Sequence, residues 1–298
     1  MTEFLQQLIN GLSLGAIYAL IALGYTMVYG ILKFINFAHG EVFMLGAFSG
    51  YYLAGLFGVT SPSIVWAVII LILTMVITAT IGVIIEKLAY RPLRHSSKLT
   101  VLITAIGVSL FLQYGGQLVF GADPKSFPTL IENYNFNIAG VRVSLIQLIV
   151  IFFSLFLMLG LRFIVMNTKI GTAIRAVSNN LTAASLMGIN IDKVISFTFI
   201  LGSSMAGAAG ILYAISYPSI DPLIGLLPGL KAFIAAVLGG IGNFPGAALG
   251  GVLIGIIETL TVGYISPTYR DAIAFAILII ILLFRPSGLL GKKEIEKV

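Results

Sequence analysis

IVWAVIILILTMVITATIGVII, residues 64–85, holds no charged side chain from end to end. A helix needs about 20 apolar residues to cross the hydrocarbon layer of a bilayer, so this run predicts a membrane span. The same pattern recurs on either side, at about Leu8–Ile31, Ile35–Phe57, Leu99–Phe120, Leu145–Val165, Val194–Ile215 and Ala272–Phe284. Between the last two lies an apolar region, Ile224–Val262, too long for one span and interrupted by Gly239-Gly240-Ile241-Gly242-Asn243-Phe244-Pro245-Gly246. It reads as two segments meeting at that break, with half-helices one form they can take. The expected fold is all-α. It is a polytopic transmembrane helix bundle of eight to nine spanning or half-spanning segments, forming a single domain over residues 1–298.

Composition agrees. The chain is 59% hydrophobic and 9% charged, with a mean hydropathy of +1.08. A soluble domain carries roughly 25% charged residues, because its surface must be covered by polar groups. A bilayer removes that demand. The 33 glycines suit close helix packing in lipid. Small-xxx-small pairs recur at Gly11/Gly15, Gly46/Gly50, Ala206/Gly210, Gly246/Gly250 and Gly251/Gly255. With no cysteine, disulfides, thiolate metal sites and cysteine nucleophiles are excluded. The first apolar run is too long for a cleavable signal peptide and has no Lys or Arg before it, so it is expected to stay.

Basic residues orient the chain. Arg91, Arg94 and Lys98 crowd one loop; Arg162, Lys169, Arg175 and Lys193 face only Asp192 in a second; Arg285, Lys292, Lys293 and Lys297 dominate the tail. These three regions are expected in the cytoplasm. The loop Ala122–Val143 is neutral overall and is expected outside. Counting crossings puts the N-terminus outside and the C-terminus inside, provided that Ile224–Val262 returns to the side it entered from. Topology signalling thus accounts for the net charge of +6 without nucleic acid.

One cytoplasmic stretch, Asn167–Lys193, is too long for a turn and too amphipathic for a floppy linker. Thr172–Val177 predicts a short helix. Asn180 is placed to cap a second, Leu181–Met187, which Gly188 would stop, and Asp192 to cap the next span. Ala184, Leu186 and Met187 are apolar where the membrane does not require it. Such a helix either packs under its own bundle or seeks a partner's groove.

The pattern Gly171-x-Ala173-x-Arg175-Ala176-x3-Asn180-x2-Ala183-Ala184-x3-Gly188-Ile189-Asn190 resembles the coupling loop of permeases in branched-chain amino acid ABC transporters. So do Gly15-Ala16-x-Tyr18-Ala19-Leu20-x-Ala22-Leu23-Gly24, Ile35-Asn36-Phe37-Ala38-His39-Gly40 and the glycine-rich break at 239–246. The resemblance covers nearly the whole chain in order, and of two paralogous types the chain is more similar to the one called LivH. What the resemblance implies is an importer in the bacterial plasma (inner) membrane. An extracytoplasmic binding protein supplies the amino acid, and this chain pairs with a second, paralogous permease. Two cytoplasmic ABC ATPase subunits dock on the coupling loop 167–193. By the same resemblance Arg175, Ala176, Ala183, Ala184 and Gly188 belong to the coupling interface. The chain has no Gly-x4-Gly-Lys-Ser/Thr loop. ATP-Mg is therefore expected on the partner ATPases, with no cofactor, metal or catalytic residue on this chain, which is read as a non-catalytic subunit.

Ionisable and amide groups near the spans are candidates for the pathway or gate. Asn36, His39, Glu41 and Asn243 stand at or beside the two chain breaks. For His39 and Glu41 the alternative is an interfacial, snorkelling role, and for the two asparagines it is the capping of freed backbone groups. Glu86 and Lys87 read as boundary residues, and Glu258 as ambiguous. A membrane enzyme would need convergent acids or a nucleophile and base, yet the chain has only His39 and His95. An ion-coupled carrier needs acids at depth, and every acid here reads as lying near a span end or in a loop. A channel would not need the amphipathic cytoplasmic helices. A sugar or nucleoside permease of related architecture is the nearest alternative, and the Asn36-Phe37-Ala38-His39-Gly40 motif favours amino acids.

Overall fold

In the computed structural model, residues 2–94, 96–138 and 140–291 are described; His95 and the tail beyond Gly291, including Lys292, Lys293 and Lys297, lie outside them. The helices are α1 (Thr2–Leu32), α2 (His39–Leu56), α3 (Ile64–Ile85), α4 (Lys98–Phe120), α5 (Leu145–Asn167), α6 (Lys169–Asn179), α7 (Leu181–Leu186), α8 (Ile191–Ser216), α9 (Leu226–Gly239), α10 (Phe244–Tyr264) and α11 (Arg270–Phe284). Among the described residues, seven helices are long and apolar enough to cross a membrane: α1, α3 with its π-helical extension Glu86–Tyr90, α4, α5, α8, α10, and α11 with the short 3-10 turn before it. α2, at 18 residues, and α9, at 14, complete the bundle.

Helices α1 and α8 form its centre. Ile17, Leu20, Ile21 and Ala22 of α1 and Ala208 and Ala209 of α8 are fully buried. Around them α4, α5 and α11 turn large apolar groups outward, among them Phe111, Leu118, Phe163 and Leu283. That is the surface expected where lipid or a second membrane subunit lies outside. The small-residue pairs make the tightest crossings. At Gly15 an added Cβ would sit 2.7 Å from the Cα and 2.9 Å from the carbonyl oxygen of Val252. Only glycine lets α1 and α10 approach this closely.

The chain alternates between two ends. At the first, Gln6 Nε2 donates to the Arg142 carbonyl, the Ser63 amide donates to Leu130, and the Phe127 amide donates to Pro218. There strand β1 (Lys125–Ser126) pairs antiparallel with β4 (Ser219–Ile220), and β2 (Asn135–Ile138) with β3 (Val141–Ser144). At the other end lie the 33–38 break, the 86–97 loop, α6 and α7. Helices α9 and α10 run antiparallel, Gly239 against Gly246 and Ala235 against Gly250. Region 224–262 therefore goes out and returns, as the crossing count demands, and α9 is its one short member. Leu289 and Leu290 donate to the carbonyls of Leu238 and Gly239, fastening the segment after α11 to the far end of α9.

Two sequence expectations are corrected. The span expected to open at Ile35 begins as helix only at His39, because Lys33 takes a left-handed conformation (φ 54) and residues 33–38 leave the helix. The cap of α8 is Asn190, whose Oδ1 accepts from the Lys193 amide at 3.0 Å. Asp192 lies in the first turn and turns instead to Arg94, 2.7 Å away.

Candidate functional site

The stretch 167–193 folds as two capped helices, α6 and α7, and leads into the capped start of α8. Thr168 Oγ1 accepts from the Gly171 amide at 3.1 Å, Asn180 Oδ1 from Ala183 at 2.9 Å, and Asn190 Oδ1 from Lys193. Gly188, at φ +80, closes α7 in the left-handed conformation that glycine accepts without penalty. Helix α6 packs under the bundle through buried Gly171, Ile174 and Val177, and Ser178 Oγ donates to the Gly30 carbonyl at 2.7 Å. Arg175 donates through Nη1 to the carbonyls of Val165 and Met166. It therefore satisfies the open C-terminal end of α5.

Helix α7 is different. Ala184 points inward and is 4% exposed, whereas Leu186 and Met187 are 84% and 83% exposed. Ala183 and Gly188 are exposed as well, and Ala176 is half-buried. Of the five residues expected at a coupling interface, Ala184 is packed inward and Arg175 is engaged with α5. The open apolar face belongs to Leu186 and Met187.

Directly above this loop is an ionic junction. Glu86, read as a boundary residue, is 1% exposed. The Arg91 Nε and Nη2 donate to its two oxygens at 2.9 and 3.0 Å, and Ser196 Oγ of α8 donates to Oε2 at 2.8 Å. Arg94 holds Asp192 at the start of α8. The π-helical turn carrying Glu86 also places Tyr90, whose hydroxyl donates to Asn36 Oδ1 at 2.6 Å and whose ring lies against Phe34 and Phe199. A continuous chain of contacts thus runs from the base of α8 to the α1–α2 break.

Beyond that break, His39 and Glu41 are buried, each 1% exposed, which corrects the snorkelling alternative. The His39 ring meets the Tyr25 ring edge-on at 4.7 Å and fills the space left by Gly24. Glu41 Oε1 accepts from Ser109 at 3.4 Å, while Oε2 and His39 Nε2 find no hydrogen-bond partner among the described residues. The backbone at Gly40 lies against Gly225 and Gly229 at the start of α9. Asn243 behaves as a cap: its Oδ1 accepts from Gly246 at 3.1 Å and its Nδ2 donates to the Leu290 carbonyl at 2.6 Å. Asn36 and Asn243 thus serve separate partners.

Sequence reasoning missed a second ionic cluster, at the end that carries the chain's N-terminus. Lys231 of α9 lies 3.0 Å from Glu258 of α10 and 2.6 Å from Asp271 of α11. Arg270 engages Glu258, and the Tyr18 hydroxyl of α1 donates to Glu258 at 3.0 Å. Glu258 and Lys231 are each 2% exposed, so nearness to a span end does not make an acid interfacial here. The available signal was a lone lysine inside the apolar run Leu226–Gly239.

Comparison with known proteins places the chain. Residues 7–282 match the family model described as branched-chain amino acid transport system / permease component. The chain is 43% identical over 303 residues to the high-affinity branched-chain amino acid transport system permease protein BraD of Pseudomonas aeruginosa, covering 99% of this chain and 98% of that one. It is 43% identical over 304 residues to the permease protein LivH of Escherichia coli K12, with the same coverage. The ribose import permease protein RbsC of Haemophilus influenzae is 23% identical over 294 residues, covering 96% of this chain and 86% of that one. The chain belongs to the branched-chain amino acid transport system permease family.

Proposed function

We propose that this chain is the membrane-spanning permease subunit of an ATP-driven importer of branched-chain amino acids in the bacterial plasma membrane. The observation that carries the reading is kinship over 99% of the chain at 43% identity to two permeases named for that transport, against 23% to a ribose permease.

The geometry supports a division of labour. The end bearing Arg91, Arg94, Lys169, Arg175 and Lys193 is the basic one, which supports a cytoplasmic placement for it and an outside N-terminus. There α7 and its C-cap offer Leu186 and Met187 to a groove on one ATPase partner, as an amphipathic helix does. Ala183 and Gly188 border the contact; Arg175, Ala176 and Ala184 hold the loop to the bundle. ATP-Mg is bound and hydrolysed by those partners, and this chain transmits the motion without catalysing. A rigid route is available through Asp192, Arg91, Glu86, Tyr90 and Asn36 to the α1–α2 break, where His39 and Glu41 form the inner gate. A second, paralogous permease completes the pathway, and an extracytoplasmic binding protein delivers the substrate.

The test is a mild-detergent purification of the tagged chain from its native membrane, with mass spectrometry of what accompanies it. Two P-loop ATPases and a second polytopic subunit are expected. Recovery of the chain alone, from a membrane whose other complexes survive that detergent, would sink the importer reading. It would direct attention to Glu41 and Glu258 as ion-coupling groups.

A further inference from the structure

A cavity of about 430 Å³ opens at the end of the bundle that carries the N-terminus. Small-molecule sites fall in this size range. Its wall is divided by chemistry. Lys231, Arg270, Asp271 and Asp221 supply two cations and two carboxylates, and Leu223 and Leu227, both exposed, form an aliphatic side. We propose that this cavity is where the permease receives its cargo, a zwitterionic α-amino acid with an aliphatic side chain, delivered from outside. The proposal rests on the importer reading and adds a substrate site to it.

The charges are arranged for such a ligand. Lys231 is nearly inaccessible, and is fixed from behind by Glu258 and from beside by Asp271. Glu258 in turn holds Arg270 and takes the Tyr18 hydroxyl. The cluster therefore joins α1, α9, α10 and α11, and its cations keep fixed positions. Arg270 and Asp271 remain about two-fifths exposed, and Asp221 Oδ1 accepts the nearby Leu223 amide, 2.7 Å away. A simple anion would find carboxylates in the same wall, and a simple cation would find Lys231 and Arg270. A zwitterion satisfies both, its carboxylate beside Arg270 and its ammonium beside Asp221 and Asp271. Its aliphatic side chain then removes Leu223 and Leu227 from water. A cluster whose only task was to fasten helices would not need Asp221, which lies on the loop before α9 and bonds to none of the four ions.

The experiment reconstitutes the whole transporter in proteoliposomes with its loaded binding protein. Labelled leucine uptake and ATP hydrolysis are measured in the same vesicles for wild type, Asp221→Asn, Asp271→Asn and Leu227→Ala. The expected result is unchanged subunit assembly and ATP hydrolysis, with leucine moved per ATP reduced about tenfold in the two Asn variants, the worth of one charge-assisted hydrogen bond. Leu227→Ala should lower the ratio for leucine more than for alanine. A ratio equal to wild type in all three variants would overturn the site. Parallel loss of assembly and hydrolysis would overturn it too, assigning the cluster to subunit packing. Should wild-type vesicles move no amino acid while hydrolysing ATP, it is the importer reading that has failed, and the site falls with it.

Discussion

Replacing Glu86 with Gln tests the ionic junction at the base of α8. The side chain is almost completely buried and accepts both Arg91 nitrogens and the Ser196 hydroxyl. Glutamine keeps the shape but loses the charge, and in either orientation sets an amide donor against an Arg91 nitrogen. Breaking a fully buried ion pair costs about 3–5 kcal/mol. Arg91 is 31% exposed and can regain water, so the expected loss is nearer about 2 kcal/mol. The purified complex should then unfold at lower denaturant. A double-mutant cycle with Arg91→Met should give a coupling energy of about 2 kcal/mol. Because the junction ties the π-helical turn to α8, leucine moved per ATP should also fall. An unfolding midpoint equal to wild type and a coupling below about 0.5 kcal/mol would refute the reasoning, since distant independent sites already add to within that margin.

Other expectations follow from the same contacts. Leu186→Asp with Met187→Asp should leave the chain's own stability within about 0.5 kcal/mol, as for other exposed positions, and should abolish copurification of the ATPases. Ala184→Arg, at a buried site, should instead lower the melting temperature of the isolated subunit, and an unchanged melting temperature would contradict its inward placement. Gly15→Ala drives a methyl into the Val252 backbone and should destabilise the α1–α10 crossing by about 1–3 kcal/mol, read by thermal unfolding in detergent.

The spans were legible because lipid imposes a length and an apolarity that a sequence displays directly. Ile64–Ile85 is a helix over the residues read as apolar. The caps at Asn180 and Gly188 were legible because they depend on local backbone needs. The break near Asn36 was legible but its extent was not, since Phe34, Ile35 and Phe37 can continue a helix and the left-handed turn at Lys33 is a tertiary outcome. Asp192 was mistaken for a cap because Arg94, its partner in the fold, comes from another loop. The direction of Ala184 is set by the bundle above it, and one short helix cannot state which face will be covered. Lys231, Glu258 and Asp271 come from three helices, so only the fold brings them together. An isolated lysine in an apolar run asks for a partner without naming it.

The central claim is tested most directly by labelled leucine uptake into proteoliposomes that contain this chain with its copurifying subunits and an amino-acid-binding protein. The account predicts accumulation against a gradient that requires ATP, requires the binding protein and persists when ion gradients are collapsed. Uptake that follows an ion gradient and ignores ATP would contradict it.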